Sequence, residues 1–104
     1  MIWIRADANN SIGLGHMMRC LSVASQLIRL GQEVCFVLAD ASAVALLEEK
    51  EQKYIVLDTD YCDMEGELAA LCSLLQAWRP DVLLVDSYFV TQEYLRKLRT
   101  YAKV

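Results

Sequence analysis

The residues best suited to chemistry lie in a polar segment, DANNSIGLGH, that begins at Asp7 and ends at His16. His16 is the only histidine of the chain, and a neutral imidazole can take a proton from water. Gly13 and Gly15 permit positive φ angles and let a ligand approach the backbone. Asp7 could orient His16, bind substrate hydroxyls, or hydrogen-bond its own loop as a turn residue. The segment predicts a small-molecule site with a histidine general base.

Simpler interpretations of this segment remain open. A G-x-G turn often joins a strand to a helix, and a lone histidine near a helix start is often a surface residue or a cap. A dinucleotide-binding fingerprint would need glycine at Met18, and no Lys-Ser/Thr pair follows as in a P-loop. A helix that begins near Gly15 would offer free N–H groups to an anion and disfavour a charged imidazole. That placement favours His16 as a neutral base.

Two further groups are expected near this loop. Arg19 lies one helical turn after His16 and could meet a phosphate, pair with a loop carboxylate, or be a solvated helix charge. Asp86, Ser87 and Tyr88 follow an apolar run. Tyr88 could hydrogen-bond a substrate or simply pack, and Asp86 and Ser87 could cap the next turn. The segment Asp86–Tyr88 is the second candidate half of the site.

Short apolar runs alternate with longer segments of helical periodicity. The apolar runs predict strands at residues 2–5, 33–38, 54–57 and 81–85, and the periodic segments predict helices at 16–30, 42–50, 64–78 and 91–101. Ser42 is expected to cap the second helix, Gly31 to follow the end of the first, and Pro80 to stop the third. This alternation predicts a single α/β domain with a parallel, doubly wound, Rossmann-like sheet.

The predicted topology brings the two polar segments together. Ligands of open parallel sheets bind beyond the carboxyl ends of the strands, where strand order reverses. With the order 3-2-1-4, the loop that ends at His16 would face Asp86–Tyr88 across that point. Arg5 ends the first strand and is expected to hold the loop. Lys103 and Val104 are expected to begin a fifth strand, so residues 1–104 would be an incomplete N-terminal domain whose open sheet edge could support self-association.

Composition narrows the choice of partners. The net charge is −4 without a basic run, which argues against nucleic acid and anionic membranes. No apolar stretch reaches the ~18 residues of a membrane span. The start, MIWIRAD, lacks the features of a signal peptide, so a cytoplasmic location is expected. The cysteines show no metal-ligand spacing and are expected to be buried thiols: Cys20, Cys35, Cys62 and Cys72. No metal or cofactor is expected.

The two polar segments resemble a known family. The first match is R-x-D-A-x-N-x-I-G-x-G-H-x-M-R-C-L, from Arg5 to Leu21, and the second is P-D…V-D-S-Y, from Pro80 to Tyr88. Both are similar to motifs of the PseG/SpsG family. These proteins are the UDP-2,4-diacetamido-2,4,6-trideoxy-β-L-altropyranose hydrolases of pseudaminic acid synthesis and related spore-coat polysaccharide proteins.

The resemblance implies the N-terminal part of a two-domain fold similar to GT-B glycosyltransferases, with a second domain supplying most nucleotide contacts. It implies hydrolysis of a UDP-linked sugar at the anomeric carbon, with inversion, release of UDP and no metal. His16 would act as general base on water, Gly13 and Gly15 would shape the loop beside the sugar or diphosphate, and Tyr88 would position the sugar. Alternatives are a glycosyltransferase of the same fold and a non-catalytic domain that binds ligand or associates with itself.

Overall fold

The computed structural model describes residues 1–104 and contains one four-stranded sheet in the order β3-β2-β1-β4. All three pairs of neighbouring strands are parallel. The predicted α/β class and the parallel sheet are therefore confirmed, and the strand order is the one under which the two polar segments are expected to meet. The strands are β1 (Ile2–Ala6), β2 (Val34–Leu38), β3 (Lys53–Val56) and β4 (Val82–Asp86). The helices are α1 (Gly15–Arg29), α2 (Val44–Glu49), α3 (Met64–Trp78) and α4 (Gln92–Leu98).

The helix ends agree with most of the predicted signals. Gly31 follows α1 with a φ of +88°, a conformation that glycine adopts without strain. The expected cap at Ser42 is wrong. A 3₁₀ turn, Ala41–Ala43, precedes α2, and the carboxylate of Asp40 accepts a hydrogen bond from the Ser42 backbone N–H at 2.9 Å. Asp40 is the cap because its backbone is extended, so its side chain can reach the free N–H of the turn.

Helices cover both faces of the sheet, as the doubly wound prediction requires. Because successive strand residues point to opposite faces, Ile4 packs under α1 and α2, whereas Trp3 packs under α3 and α4. Both side chains are almost completely buried. β1 is therefore central, buried on both sides, and the loop that follows it starts from a rigid point.

A buried ionic network ties the end of β1 to the neighbouring elements. The Arg5 guanidinium donates two hydrogen bonds of 2.7 Å to Glu67 on α3 and a third of 2.7 Å to Asp7. The Tyr94 hydroxyl of α4 donates to Glu67 at 2.7 Å, and the Ala39 N–H donates to Asp7 at 2.9 Å. Burial lowers the pKa of Arg5, but the two carboxylates outweigh burial and raise it overall. Arg5 thus holds the start of the loop, as predicted.

The outer edge of β4 is paired only at its beginning. Val82 forms an isolated parallel bridge with Lys103, and the Leu83 N–H donates to the Lys103 carbonyl at 2.7 Å. No strand lies beside β4 beyond this point, and the Leu84 residue is 38% exposed. The sheet therefore ends in an edge that is open over the second half of β4.

The cysteine prediction is partly wrong. All four cysteines are free, but only Cys20 is buried, while Cys35 and Cys72 are half-buried. Cys62 is exposed because it lies in the polar loop between β3 and α3, outside both cores.

None of the helices is both long and apolar enough to cross a membrane.

Candidate functional site

The loop between β1 and α1 is organised by an asparagine. The Asn9 side chain accepts hydrogen bonds from the N–H groups of Ser11 and Ile12, each at 2.9 Å, and its carbonyl accepts one from Gly13 at 2.8 Å. Gly13 has a φ of +76°, which suits glycine. Gly15 does not have a positive φ and begins α1. Of the two glycines, only Gly13 is required by the backbone conformation.

His16 lies in the first turn of α1 and contacts the last residue of β4. Its Nδ1 atom contacts Oδ1 of Asp86, and the side chains are 13% and 17% exposed, respectively. Asp86 is placed there by the strand register, because it pairs with Ala6 at the end of β1. The other ring nitrogen, Nε2, is buried and has no hydrogen-bond partner. The imidazole is therefore anchored through one nitrogen and free at the other.

The carboxylate of Asp86 is held by donors from α1. Arg19 donates to Oδ2 from Nε at 3.2 Å and from Nη2 at 2.8 Å, and Nη2 also lies 2.9 Å from Oδ1. The Cys20 thiol donates to Oδ2 at 3.4 Å. Burial works to raise the pKa of Asp86, but the hydrogen bonds from Arg19 and His16 outweigh it, so the pKa is lowered. Of the roles expected for Arg19, the structure shows an ion pair with a carboxylate.

Cys20 is unsuited to act as a nucleophile in this cluster. Burial and the neighbouring carboxylate of Asp86 raise the pKa of its thiol to about 12. The thiolate is the reactive form of cysteine, so Cys20 stays a protonated donor at neutral pH.

A small cavity adjoins the imidazole at the carboxyl ends of β1 and β4. Its volume is about 10 Å³, close to the space that one water molecule needs. The Tyr88 ring lies edge-on to His16, with 4.2 Å between ring centroids, and Tyr61 contacts Phe89 in the same way at 5.9 Å. The lining residues are Asp7, Ile12, His16, Tyr61, Asp86, Ser87, Tyr88 and Phe89. Aromatic side chains from two loops thus cover a space too small for a sugar.

The structure brings together most of the predicted site residues. His16, Tyr88 and Asp7 line the cavity. Arg19 does not line it, but its Nη2 atom lies 3.0 Å from Nδ1 of His16. Asp7 is bound to Arg5 and to the backbone of Ala39, so the carboxylate that orients His16 is that of Asp86 instead. The expected capping role is shown only for Ser87, whose hydroxyl accepts from the Phe89 N–H at 3.1 Å.

The sequence did not predict one contact of the site and two residues next to it. The direct contact of Asp86 with His16 was not predicted, although the meeting of their two loops was. Glu67 was missed, yet it falls on the buried face of its helix at helical spacing from Met64 and Leu71. A carboxylate at such a position, together with an arginine in an apolar strand, is the signal for a buried pair. Nothing in the polar loop around Tyr61 signals its place over the cavity.

Comparison of the chain with protein-family models, with curated proteins and with solved structures gives no match. No group of three or more His, Cys, Asp or Glu side chains is arranged to hold a metal ion. Function is therefore inferred from the chemistry of the site and from the resemblance of the two motifs.

Proposed function

We propose that this chain carries the general base of a hydrolase that releases UDP from a UDP-linked diacetamido-trideoxy sugar, as in pseudaminic acid synthesis. One observation supports the base above all. Nε2 of His16 is buried, has no protein partner, and belongs to a ring that lines a cavity about one water molecule in size. This cavity lies where ligands of open parallel sheets bind. A nitrogen placed in this way can accept a proton from an attacking water.

The proposed step needs only water and the imidazole. The water oxygen attacks the anomeric carbon, and one of its protons passes to Nε2 of His16. The bond from the anomeric carbon to the diphosphate oxygen breaks, and its electron pair leaves with UDP. Attack from the face opposite the leaving group gives a sugar of inverted configuration. The imidazolium that forms lies beside the Asp86 carboxylate, which stabilises its positive charge.

Other parts of the proposal follow from the resemblance. Tyr88 positions the sugar, and Gly13 and Gly15 shape the loop beside it. Asp7 and Arg19 are proposed to border the substrate because of their position beside His16 and not because of the resemblance. A second domain, in a GT-B-like arrangement, supplies the nucleotide contacts in the complete enzyme. Four free thiols are typical of a reducing compartment, so a cytoplasmic location is part of the proposal.

UDP release from the UDP-sugar by the complete protein tests this function. Replacing the imidazole by His16→Ala is expected to lower turnover about 100-fold or more, the usual contribution of a general base. Ser22→Ala is the matched control, because Ser22 lies on α1 but outside the site. Near-normal turnover by the folded His16→Ala protein would show that the role given to His16 is wrong.

A glycosyltransferase of the same fold would use His16 toward an acceptor hydroxyl instead of water. Release of free UDP and free sugar with no acceptor present is the result expected of the hydrolase. Turnover that begins only when an acceptor alcohol is added would favour the transferase.

A second candidate function is self-association without catalysis, which the open edge of β4 favours. An unpaired edge offers backbone N–H and carbonyl groups to another strand. Measurement of the molecular mass over a range of protein concentrations tests this candidate. A monomer at every concentration would count against it, and turnover by the chain would exclude a purely non-catalytic role.

A further inference from the structure

We propose that Asp86 is a positioning residue which, held in turn by Arg19 and Cys20, keeps the imidazole proton of His16 on Nδ1 and leaves Nε2 free to accept one. The catalytic consequence rests on the proposed function. The location of the proton does not, because it is a property of the chain that can be measured without any substrate.

The contact between His16 and Asp86 fixes which nitrogen is protonated. An ionised carboxylate can only accept hydrogen bonds, so Nδ1 must be the donor. The hydrogen bonds that outweigh burial keep the pKa of Asp86 low, so its carboxylate is ionised at neutral pH. A neutral imidazole carries one ring proton, and with that proton on Nδ1 the lone pair is on Nε2. Nε2 is the ring nitrogen with no protein partner.

Arg19 and Cys20 determine where the two oxygens of Asp86 lie. Oδ2 accepts from Nε and Nη2 of Arg19 and from the Cys20 thiol, whereas Oδ1 accepts from His16 and from Nη2 of Arg19. Every one of these partners is a donor. Nη2 of Arg19 also lies 3.0 Å from Nδ1 of His16, but two donors cannot bond each other, so the Nδ1 proton points to Asp86.

This arrangement makes Asp86→Asn a specific test. An asparagine side chain keeps the shape but has one oxygen and one NH₂ group. With the oxygen in the Oδ2 position, the contacts from both Arg19 nitrogens and from Cys20 are retained. The NH₂ group then faces Nδ1 of His16, which must become an acceptor. The ring proton therefore moves to Nε2, and the base is lost.

Nitrogen-15 NMR on labelled protein measures the tautomer, at a pH high enough for the ring to be neutral. Because His16 is the only histidine, its ring resonances need no further assignment. The unmodified chain is expected to show a protonated Nδ1 and an unprotonated Nε2. Asp86→Asn is expected to show the reverse. A protonated Nε2 in the unmodified chain would overturn the proposal, whether or not any variant folds.

Two variants separate positioning from a structural role. Arg19→Met alone should keep the proton on Nδ1, because the carboxylate still only accepts. The double variant Arg19→Met with Asp86→Asn should recover part of the Nδ1-protonated form, because the amide can then turn its oxygen to His16. Loss of stability would not produce this pattern. A folded Asp86→Asn protein with the unmodified tautomer would contradict the proposal.

Catalysis provides an independent readout. If the proposed function holds, Asp86→Asn lowers kcat by roughly 10⁴-fold with little change in KM, as a wrong tautomer does in a serine protease. Ser22→Ala, on α1 but outside the site, is the control and should retain kcat. A reversed tautomer in Asp86→Asn together with no UDP release by the unmodified protein would sink the proposed function and leave the positioning role standing.

Discussion

Arg5 and Glu67 lie 62 residues apart in the chain and form a two-point ion pair that is fully buried between β1 and α3. Tyr94 adds a hydrogen bond to the same carboxylate. The network also holds Asp7, which lines the cavity beside His16. The geometry of the site therefore depends on charges that lie outside it.

Removing the carboxylate of Glu67 is expected to be strongly destabilising. Glu67→Ala leaves the buried guanidinium of Arg5 without its main partner, which costs about 3–5 kcal/mol. Tyr94→Phe removes one hydrogen bond to a charged group and should cost about 1.5–3 kcal/mol. Glu93→Gln removes an exposed pair with Arg96 and should cost less than about 1 kcal/mol. Urea unfolding, followed by circular dichroism, measures the loss of unfolding free energy in each variant. A similar loss for Glu67→Ala and Glu93→Gln would contradict the prediction.

Acid should weaken the fold partly through Asp86. Burial raises the pKa of this carboxyl, but hydrogen bonds from Arg19 and His16 bring it below the ordinary value of 3.8. A lowered pKa stabilises the fold above 3.8, and that stabilisation is lost as the pH falls through the pKa of the folded protein. The free energy of unfolding should therefore fall more steeply below pH 3.8 in the unmodified chain than in Asp86→Asn. Glu49→Gln, at an exposed position, is the control and should follow the unmodified chain.

The two glycines of the loop should respond differently to alanine. Gly13 has a positive φ, so Gly13→Ala is expected to cost about 1–2 kcal/mol of stability. Gly15 has ordinary backbone geometry, and an added Cβ meets nothing within 4 Å. Gly15→Ala should therefore stay within about 0.5 kcal/mol of the unmodified chain. Thermal unfolding of both variants checks this difference, and equal losses would show that backbone conformation does not distinguish the two positions.

The aromatic side chains that line the cavity, Tyr61, Tyr88 and Phe89, should protect His16 from chemical reagents. Diethylpyrocarbonate modifies unprotonated imidazole nitrogens, and Nε2 of His16 is buried under Tyr88 and its neighbours. Phe89→Ala removes the contact with Tyr61 and should speed modification several-fold. Trp78→Ala changes an exposed aromatic residue outside the cavity lining and should have no effect. Mass spectrometry follows the single histidine, and rapid modification of the unmodified chain would show that the cover is open in solution.

Much of the fold could be predicted because the apolar patterns are unambiguous. The run from Asp81 to Val85 is apolar after its first residue, which predicts a strand, and β4 lies within one residue of it. The same run is typical of the centre of a parallel sheet, and that expectation is wrong, because β4 is an edge strand in which only Leu83 is buried. The last helix was predicted to reach residue 101 but ends at Leu98, and turns follow to Tyr101. Apolar side chains at helical spacing occur in such turns as well, so periodicity alone could not locate that end.

The candidate site could be placed but not assembled from the sequence. If the strand order is 3-2-1-4, the loop of His16 is expected to meet Asp86–Tyr88, and the structure has that order and places them in contact. Asp7 and Asp86 both lie in the polar segments that are expected to meet near His16. The sequence alone does not determine which of the two carboxylates is close enough to bind the imidazole. Asp7 is bound to the buried guanidinium of Arg5, so the carboxylate left to bind His16 is that of Asp86.

The contact between His16 and Asp86 spans 70 residues and joins the first helix to the last strand. The chain between them forms two strands and two helices, so the contact closes a long loop. Such long-range contacts form late and cooperatively. His16 and Asp86 therefore form a unit only in the folded chain, so a chain that lacked β4 would carry His16 but not the carboxylate that holds its ring.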